Sequence, residues 1–307
     1  MKLVIAIGGN ALLRQSQAPS AANLLDNVRM AAAQLAKIAN LADAHQIVLT
    51  HGSGPQVGLM ALQAAAYAVQ NPSVASYPLD MLDAEVAGML GYVLEQEIAN
   101  LLPPAHAVVT LLTRVEVDRL DPAFSIPTKP IGPSNREGLR RLVASPLPVQ
   151  VLVMDAIRCL LAQGALVIAG GGGGIPVVRR ADGKGMEGVE AVIDKDLCTA
   201  LIATGLRADC LIIATDVDAV YVNWGQPDQR RLIRTTPQEL APFTFASGSM
   251  APKVDAAVNF VKATGKRAVI GPLDRIEDML AGRAGTEVCA DVGTDASAAW
   301  PSNSPAA

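Results

Sequence analysis

The chain has 307 residues, half of them hydrophobic, with a formal net charge of −4 and a pI near 5.4. That is enough apolar material for one large core or two lobes, and it excludes a disordered chain. No basic stripe of the kind that coats nucleic acid is visible, and 3% aromatic content leaves little for base stacking, so no nucleic-acid partner is expected.

The first residues, Met1 to Gly9, hold an apolar run too short for a secretory signal, and it leads into glycines rather than a cleavage site. No apolar stretch reaches spanning length, so a cytoplasmic protein without a membrane partner is expected. Cys159, Cys198, Cys210 and Cys289 are scattered without a CxxC pair, and three of the four lie in apolar stretches. They read as free thiols. His45, His51 and His106 show no metal-ligand spacing, so no metal site built from protein side chains is expected.

Taken in chain order, Val4–Ile7 reads as a strand ending at Gly8-Gly9, and residues 21–44 show helical spacing through Leu24, Val28, Ala32, Leu35 and Ile38. Ile47–Thr50 is a second short strand, ending at Gly52-Ser53-Gly54-Pro55, with helices expected over 56–70 and 79–102. Residues 108–112 predict a strand, 151–163 a helix, 165–169 a strand, 197–204 a helix, 210–214 a strand, 253–264 a helix and 268–270 a strand. Continuously apolar strands separated by helices predict a parallel sheet covered on both faces, with ligands beyond the carboxyl ends of the strands, where the glycine clusters fall. Residues 122–148 carry six prolines with little periodicity and read as an irregular flap. Residues 289–307 are small and polar and read as a disordered tail.

Six stretches carry candidate chemistry. Gly8-Gly9-Asn10 follows a strand, where free N–H groups and a helix start favour a phosphate, although a plain strand-to-helix turn is the commoner origin of paired glycines. His51-Gly52-Ser53-Gly54 repeats that arrangement; His51 reads as a group that orients the loop, because phosphoryl transfer needs positioning and charge more than a proton shuttle. Gly170 to Gly174 are five successive glycines, and a tight passage beside a ligand is the expected reason. Asp194-Lys195-Asp196 sits between apolar residues, with Lys195 a candidate phosphoryl contact and Asp196 its organiser; a solvated helix start is the alternative. Lys253 opens a helix rather than closing one, which a bound phosphate would explain. Asp216 and Asp218 follow a strand and either line a nucleotide site or cap a turn.

Together these blocks resemble the amino acid kinase superfamily, and within it the carbamate kinases. The resemblance rests on Ala6 to Leu12, His51 to Gly58, Val115-Glu116-Val117-Asp118, Pro127-Thr128-Lys129-Pro130-Ile131-Gly132, Gly170 to Pro176, Glu190 to Leu197, Thr215 to Tyr221, Asn223-Trp224-Gly225 and Gly248 to Lys253, in the family's order. It implies a three-layer α/β/α sandwich on a mainly parallel open sheet with a shortened protruding flap, and usually a homodimer. It implies one kinase domain over 1–288, with a carbamate and phosphoryl half over about 1–188, including the flap at 122–148, and a nucleotide half over about 189–288. By position, Lys129, Lys195, Asp196 and Lys253 would be catalytic. Gly8, Gly9, Asn10, Gly52, Ser53, Gly54, Gly172 and Gly173 would hold the phosphoryl group and carbamate. Asp216, Tyr221, Met250 and Lys253 would lie at the nucleotide. The implied reaction is reversible phosphoryl transfer between carbamoyl phosphate and ADP, with Mg2+ on ATP or ADP and a place in arginine metabolism. Another acyl-phosphate or amino acid kinase of the superfamily, or a non-catalytic nucleotide-binding homologue, are the alternatives. Two departures stand out: Ser53 replaces the family's usual asparagine, and Pro133 to Leu139 leads almost directly into Arg140-Arg141, so the flap is truncated.

Overall fold

Leu3, Val4, Ile5, Ala6 and Ile7 are all fully buried, which a strand achieves only inside a sheet covered on both sides. A computed structural model describes residues 1–13, 17–40, 46–133 and 140–291. The elements in chain order are β1 (Lys2–Ile7), α1 (Gly9–Leu12), α2 (Ala21–Asn40), β2 (Gln46–His51), α3 (Gln56–Gln70), α4 (Leu79–Ala99), β3 (Val108–Thr110), β4 (Arg114–Val117), β5 (Lys129–Ile131), β6 (Arg141–Val143), β7 (Pro148–Val151), α5 (Met154–Ala162), β8 (Leu166–Ile168), β9 (Ile175–Arg179), β10 (Met186–Gly188), α6 (Lys195–Leu206), β11 (Cys210–Thr215), β12 (Val220–Val222), β13 (Arg230–Leu232), β14 (Arg234–Thr235), α7 (Pro237–Leu240), α8 (Ala251–Thr264), β15 (Arg267–Pro272), α9 (Ile276–Leu280) and β16 (Thr286–Val288).

The main sheet has eight strands in the order β14-β16-β15-β11-β1-β2-β8-β3. Its strands are parallel except for the antiparallel pairing of β15 with β16. Residues 1–188 supply β1, β2, β8 and β3, and residues 189–288 supply the other four. The two halves therefore meet along β1 and β11, where Leu3 pairs with Cys210 and Ile7 with Ala214. Alternation along β1 divides the core. Leu3, Ile5 and Ile7 pack with α2, α4 and α9 on one face, while Val4 and Ala6 pack with α5, α6 and α8 on the other. This is the expected three-layer α/β/α sandwich.

The proline-rich stretch differs from the expectation of irregular chain. It forms a hairpin of β5 and β6, with Lys129 opposite Val143, and contributes β7 to a second sheet ordered β10-β9-β4-β7. Prolines sit at strand starts and edges, where a missing N–H is tolerated. The helix expected from residue 151 begins instead at Met154, because Val151 still pairs with Val115. Residues 134–139 of the flap and residues 292–307 lie outside the described residues. Up to Cys289 the chain stays attached to the fold, its N–H donating to the Thr235 carbonyl at 3.0 Å. Among the described residues no helix is long and apolar enough to cross a membrane.

Candidate active site

The carboxyl ends of β1, β2, β8 and β11 deliver their following turns to one edge of the sheet. Two glycine turns meet there almost backbone to backbone. The Gly8 N–H donates to the Ala214 carbonyl at 3.1 Å, and the Gly52 N–H donates to the Ile7 carbonyl at 3.0 Å. A β-carbon on Gly9 would stand 2.6 Å from the Gly54 nitrogen, and one on Gly52 would stand 2.8 Å from the Gly9 nitrogen. No side chain fits at either position. The Asn10 side chain lies outside the described residues.

The third glycine turn follows β8 and packs onto the second. A β-carbon on Gly171 would stand 2.6 Å from His51 Nε2, and one on Gly172 would stand 3.6 Å from the Ser53 β-carbon. A β-carbon on Gly173 would collide with the Ile193 carbonyl, and one on Gly174 with the Val115 side chain. Gly170, Gly172, Gly173 and Gly174 also have φ between 63° and 108°. The run of glycines, expected to mark a passage beside a ligand, thus has a sufficient cause in left-handed backbone and protein-to-protein contact. Thr113 fixes its entry, its hydroxyl accepting from the Gly170 N–H at 2.8 Å.

His51 is 1% exposed, and its Nδ1 lies 3.2 Å from the Gly52 carbonyl oxygen. A carbonyl oxygen only accepts, so Nδ1 carries the proton. Burial lowers the imidazole pKa to about 4, with nearby Lys195 adding to the effect against the Gly52 hydrogen bond. His51 is therefore neutral at pH 7 and tied to the Gly52 carbonyl at the start of the turn. Alongside it, the Thr50 and Thr199 hydroxyls lie 2.7 Å apart and tie the end of β2 to α6.

The charged group forms at the start of α6. Asp194 is its N-cap, with Oδ1 accepting from the Asp196 N–H at 2.8 Å and the Leu197 N–H at 3.4 Å. Asp196 is 3% exposed and bridges two lysines: Lys195 Nζ donates to Oδ1 at 2.7 Å, and Lys253 Nζ donates to Oδ2 at 3.0 Å. Burial raises the Asp196 pKa, but the two lysines outweigh it and hold the carboxyl below its usual range. Burial also pushes Lys195 below the usual lysine range, with Asp196 resisting. Two cations on one carboxylate leave one net positive charge. Asp196 supplies a counter-charge for Lys253 at the start of α8.

Lys129 arrives from the flap. Its Nζ donates to the Ile193 carbonyl at 3.1 Å and to Asp194 Oδ2 at 3.4 Å. Asp194 carries no role in the sequence reading above; its position immediately before an apolar helix is the signal of an N-cap. Thus Gly9, Gly52, Ser53, Gly54, Gly172 and Gly173 form one connected lining, and Lys129, Lys195, Asp196 and Lys253 meet around Asp194 and Ile193. Of the remaining candidates, Asp216 follows β11, with one carboxylate oxygen accepting from the Thr215 hydroxyl at 3.1 Å. Met250 precedes α8, one turn from Lys253. Tyr221 sits on the separate β12–β13 hairpin, where its hydroxyl donates to Asp218 at 3.0 Å and its ring meets Trp224 edge to face at 5.2 Å.

Among the described residues no group of three acidic, histidine or cysteine side chains is placed to hold a metal. The donor set is instead lysine ammonium and backbone N–H, which suits phosphate oxygens.

A parallel sheet between two helical layers, with paired glycine turns and lysines at its carboxyl edge, defines the class of phosphate-handling α/β enzymes to which amino acid kinases belong. The sequence pattern described as the amino acid kinase family matches residues 1–272. The carbamate kinase of Haemophilus influenzae is 48% identical over 94% of this chain and 96% of its own length. That of Rhizobium meliloti is 46% identical over 93% of this chain and 92% of its own length. The solved structure of carbamate kinase from Giardia lamblia bound to AMP-PNP superposes with a TM-score of 0.85 at 38% identity, covering 94% of this chain and 98% of that one. The chain belongs to the amino acid kinase family, and within it to the carbamate kinases.

Proposed function

We propose that the protein is a carbamate kinase, transferring a phosphoryl group between carbamoyl phosphate and ADP to give ATP and carbamate, which falls to ammonia and CO2. The observation that carries this reading is the buried carboxylate of Asp196 holding Lys195 and Lys253 in place.

A β-phosphate oxygen of ADP attacks the phosphorus of carbamoyl phosphate. The bond from phosphorus to the carboxyl oxygen breaks, and its electron pair leaves with carbamate. No proton has to move, which accords with a neutral, hydrogen-bonded His51. Charge passes from one side of the phosphorus to the other, so fixed cations and N–H donors carry most of the catalysis. Lys195 and Lys253 neutralise the transferring group, Asp196 fixes them, and Lys129 approaches from the flap. The N–H groups of Gly9 and Asn10 cradle the phosphoryl oxygens, and Gly8, its own N–H bound to the Ala214 carbonyl, forms the turn that presents them. Gly52, Ser53 and Gly54 line the carbamate side, with Gly172 and Gly173 packed against them. Asp216, Tyr221, Met250 and Lys253 border the nucleotide; AMP-PNP in the Giardia enzyme supports a nucleotide at this family's site. Magnesium, when present, would be held through the nucleotide rather than by protein side chains and would supply charge neutralisation there.

A homodimer in the cytoplasm, with a place in arginine metabolism, fits this reading. Leu62, Tyr67, Tyr77, Met81, Met89 and Tyr92 on and beside α3 and α4 are exposed apolar side chains that a second copy would cover. A non-catalytic homologue is opposed by the intact lysine set, since buried cations without substrate only burden the fold. Coupled measurement of ATP formation from carbamoyl phosphate and ADP is the test. Turnover is expected, with a loss of about 10²–10³ in kcat for Lys195→Ala; nucleotide binding without turnover would overturn the proposal.

A further inference from the structure

Thr50 and Thr199 are fully buried where α6 packs on the end of β2. Thr50 lies two residues past Val48 and shares its face of the sheet, the one covered by α5, α6 and α8. A β-carbon on Gly170 would stand 3.6 Å from the Thr50 methyl and 3.4 Å from Cys198 Sγ, so the third glycine turn closes the same junction. Valine would fill either position without burying a polar group, and a buried hydroxyl is costly unless it is bonded, so the pair calls for a reason.

The direction of the bonds supplies it. Thr199 Oγ1 donates to the Lys195 carbonyl at 2.7 Å, four residues earlier in α6. A hydroxyl has one hydrogen to give. In the 2.7 Å contact between the two threonines, Thr199 therefore accepts and Thr50 donates. One directed chain results, from Thr50 to Thr199 to the Lys195 carbonyl. Among the described residues it is the one side-chain hydrogen bond between residues 46–54 and α6. It starts one residue before His51 and three before Ser53, and it ends on the main chain of the lysine that Asp196 holds. A hydroxyl bonded back four residues bends a helix at that carbonyl, so whatever holds Thr199 also sets the path of the first turn of α6.

We infer that Thr50 and Thr199 are positioning residues, whose hydroxyl chain sets the placement of the Lys195 turn of α6 against the Ser53 turn after β2. The inference deepens the proposed function and rests on it for the part Lys195 plays at the phosphoryl group. The two threonines are 149 positions apart. A polar link with a fixed donor and a fixed acceptor holds one register between them, where a purely apolar contact would tolerate sliding.

Two measurements test this. The first reads the amide resonances of Gly52 and Ser53 in the substrate-free protein. Thr199→Val is expected to move both, and Thr199→Ser, which keeps the hydroxyl, to leave them near their wild-type positions. Resonances that ignore Thr199→Val, or that Thr199→Ser moves as far, overturn the inference whether or not the protein is a carbamate kinase. The second is a double-mutant cycle on kcat for ATP formation. Thr50→Val and Thr199→Val are each expected to lower kcat about tenfold, with KM for ADP changed less than about twofold. The double variant is expected to lose no more than about tenfold, because either change breaks the same chain. Thr199→Ser should recover the wild-type kcat to within about threefold. Losses that multiply in the double variant, a loss confined to thermal stability, or a serine variant as slow as the valine one would each overturn the positioning role. Thr50→Ala and Thr199→Ala take their place in the cycle if a valine variant does not fold. Absence of turnover in the wild-type protein would sink the proposed function, and the amide resonances would still decide whether the chain joins the two turns.

Discussion

The two sides of the site are built differently. On the α6–α8 side the charges at the site hold one another: Asp196 holds Lys195 and Lys253, Asp194 caps its helix, and Thr199 donates to the Lys195 carbonyl at 2.7 Å. On the flap side, Lys129 leans on a carbonyl and a carboxylate at 3.4 Å, Asp83 is buried without a hydrogen bond, and Ser53 replaces a longer amide. The first side is a finished electrostatic frame whose members hold one another. The second has groups in reserve, as expected where a small substrate must enter and complete the pairing.

The largest effect that would break this comparison is in the frame. Asp196→Asn should lower kcat by about 10³ or more, since both lysines lose their anchor at once, and should destabilise the fold by about 3–5 kcal/mol because two buried cations are left against a neutral amide. Thermal denaturation and the coupled assay read the two losses. A mild phenotype would mean the frame is less closed than its geometry.

A pH effect comes next. His51 has its pKa lowered to about 4 from the usual 6.5, so the folded protein binds fewer protons than the unfolded chain between those values. Stability therefore rises with pH across that window: the contribution is complete above about 6.5 and is lost as pH falls toward 4. The full depression corresponds to about 3 kcal/mol. His51→Gln should flatten that part of the stability curve. A wild-type curve level from pH 6.5 to 4 would contradict the burial of a neutral imidazole.

The smallest expected effect lies on the flap side. Ser53→Asn should lower KM for carbamoyl phosphate by about threefold to tenfold through one restored hydrogen bond, with little change in kcat. An unchanged KM would mean that Ser53 makes no contact with the carbamate.

The sheet and most of its helices were legible in the sequence, because β1, β2, β8 and β11 are apolar runs that announce burial on both faces. The helix over Gln56–Gln70 was read to the residue. The short strands β4, β9 and β10 were not, since three to five residues carry too little periodicity and pair outside the main sheet. At the site, the lysines were visible as residue types out of place among apolar neighbours. Their pairing was not, because Asp196 and Lys253 are 57 positions apart and only the packing of α6 on α8 joins them. Asp83 gave no signal at all: one acidic residue in a helix reads as a solvated face until its burial is seen. The glycine run is conspicuous in the sequence, but its contacts with Ile193 and Val115 cannot be read from spacing.

Gly58 on α3 and Gly132 at the end of the flap hairpin touch backbone to backbone, and a β-carbon on Gly132 would stand 3.0 Å from the Gly58 α-carbon. No side chains lie between them to slide or yield. The hairpin and α3 are therefore held against each other by main chain alone. Ser53 is three residues ahead of the first residue of α3, so this contact ties the flap hairpin to the helix that follows the Ser53 turn.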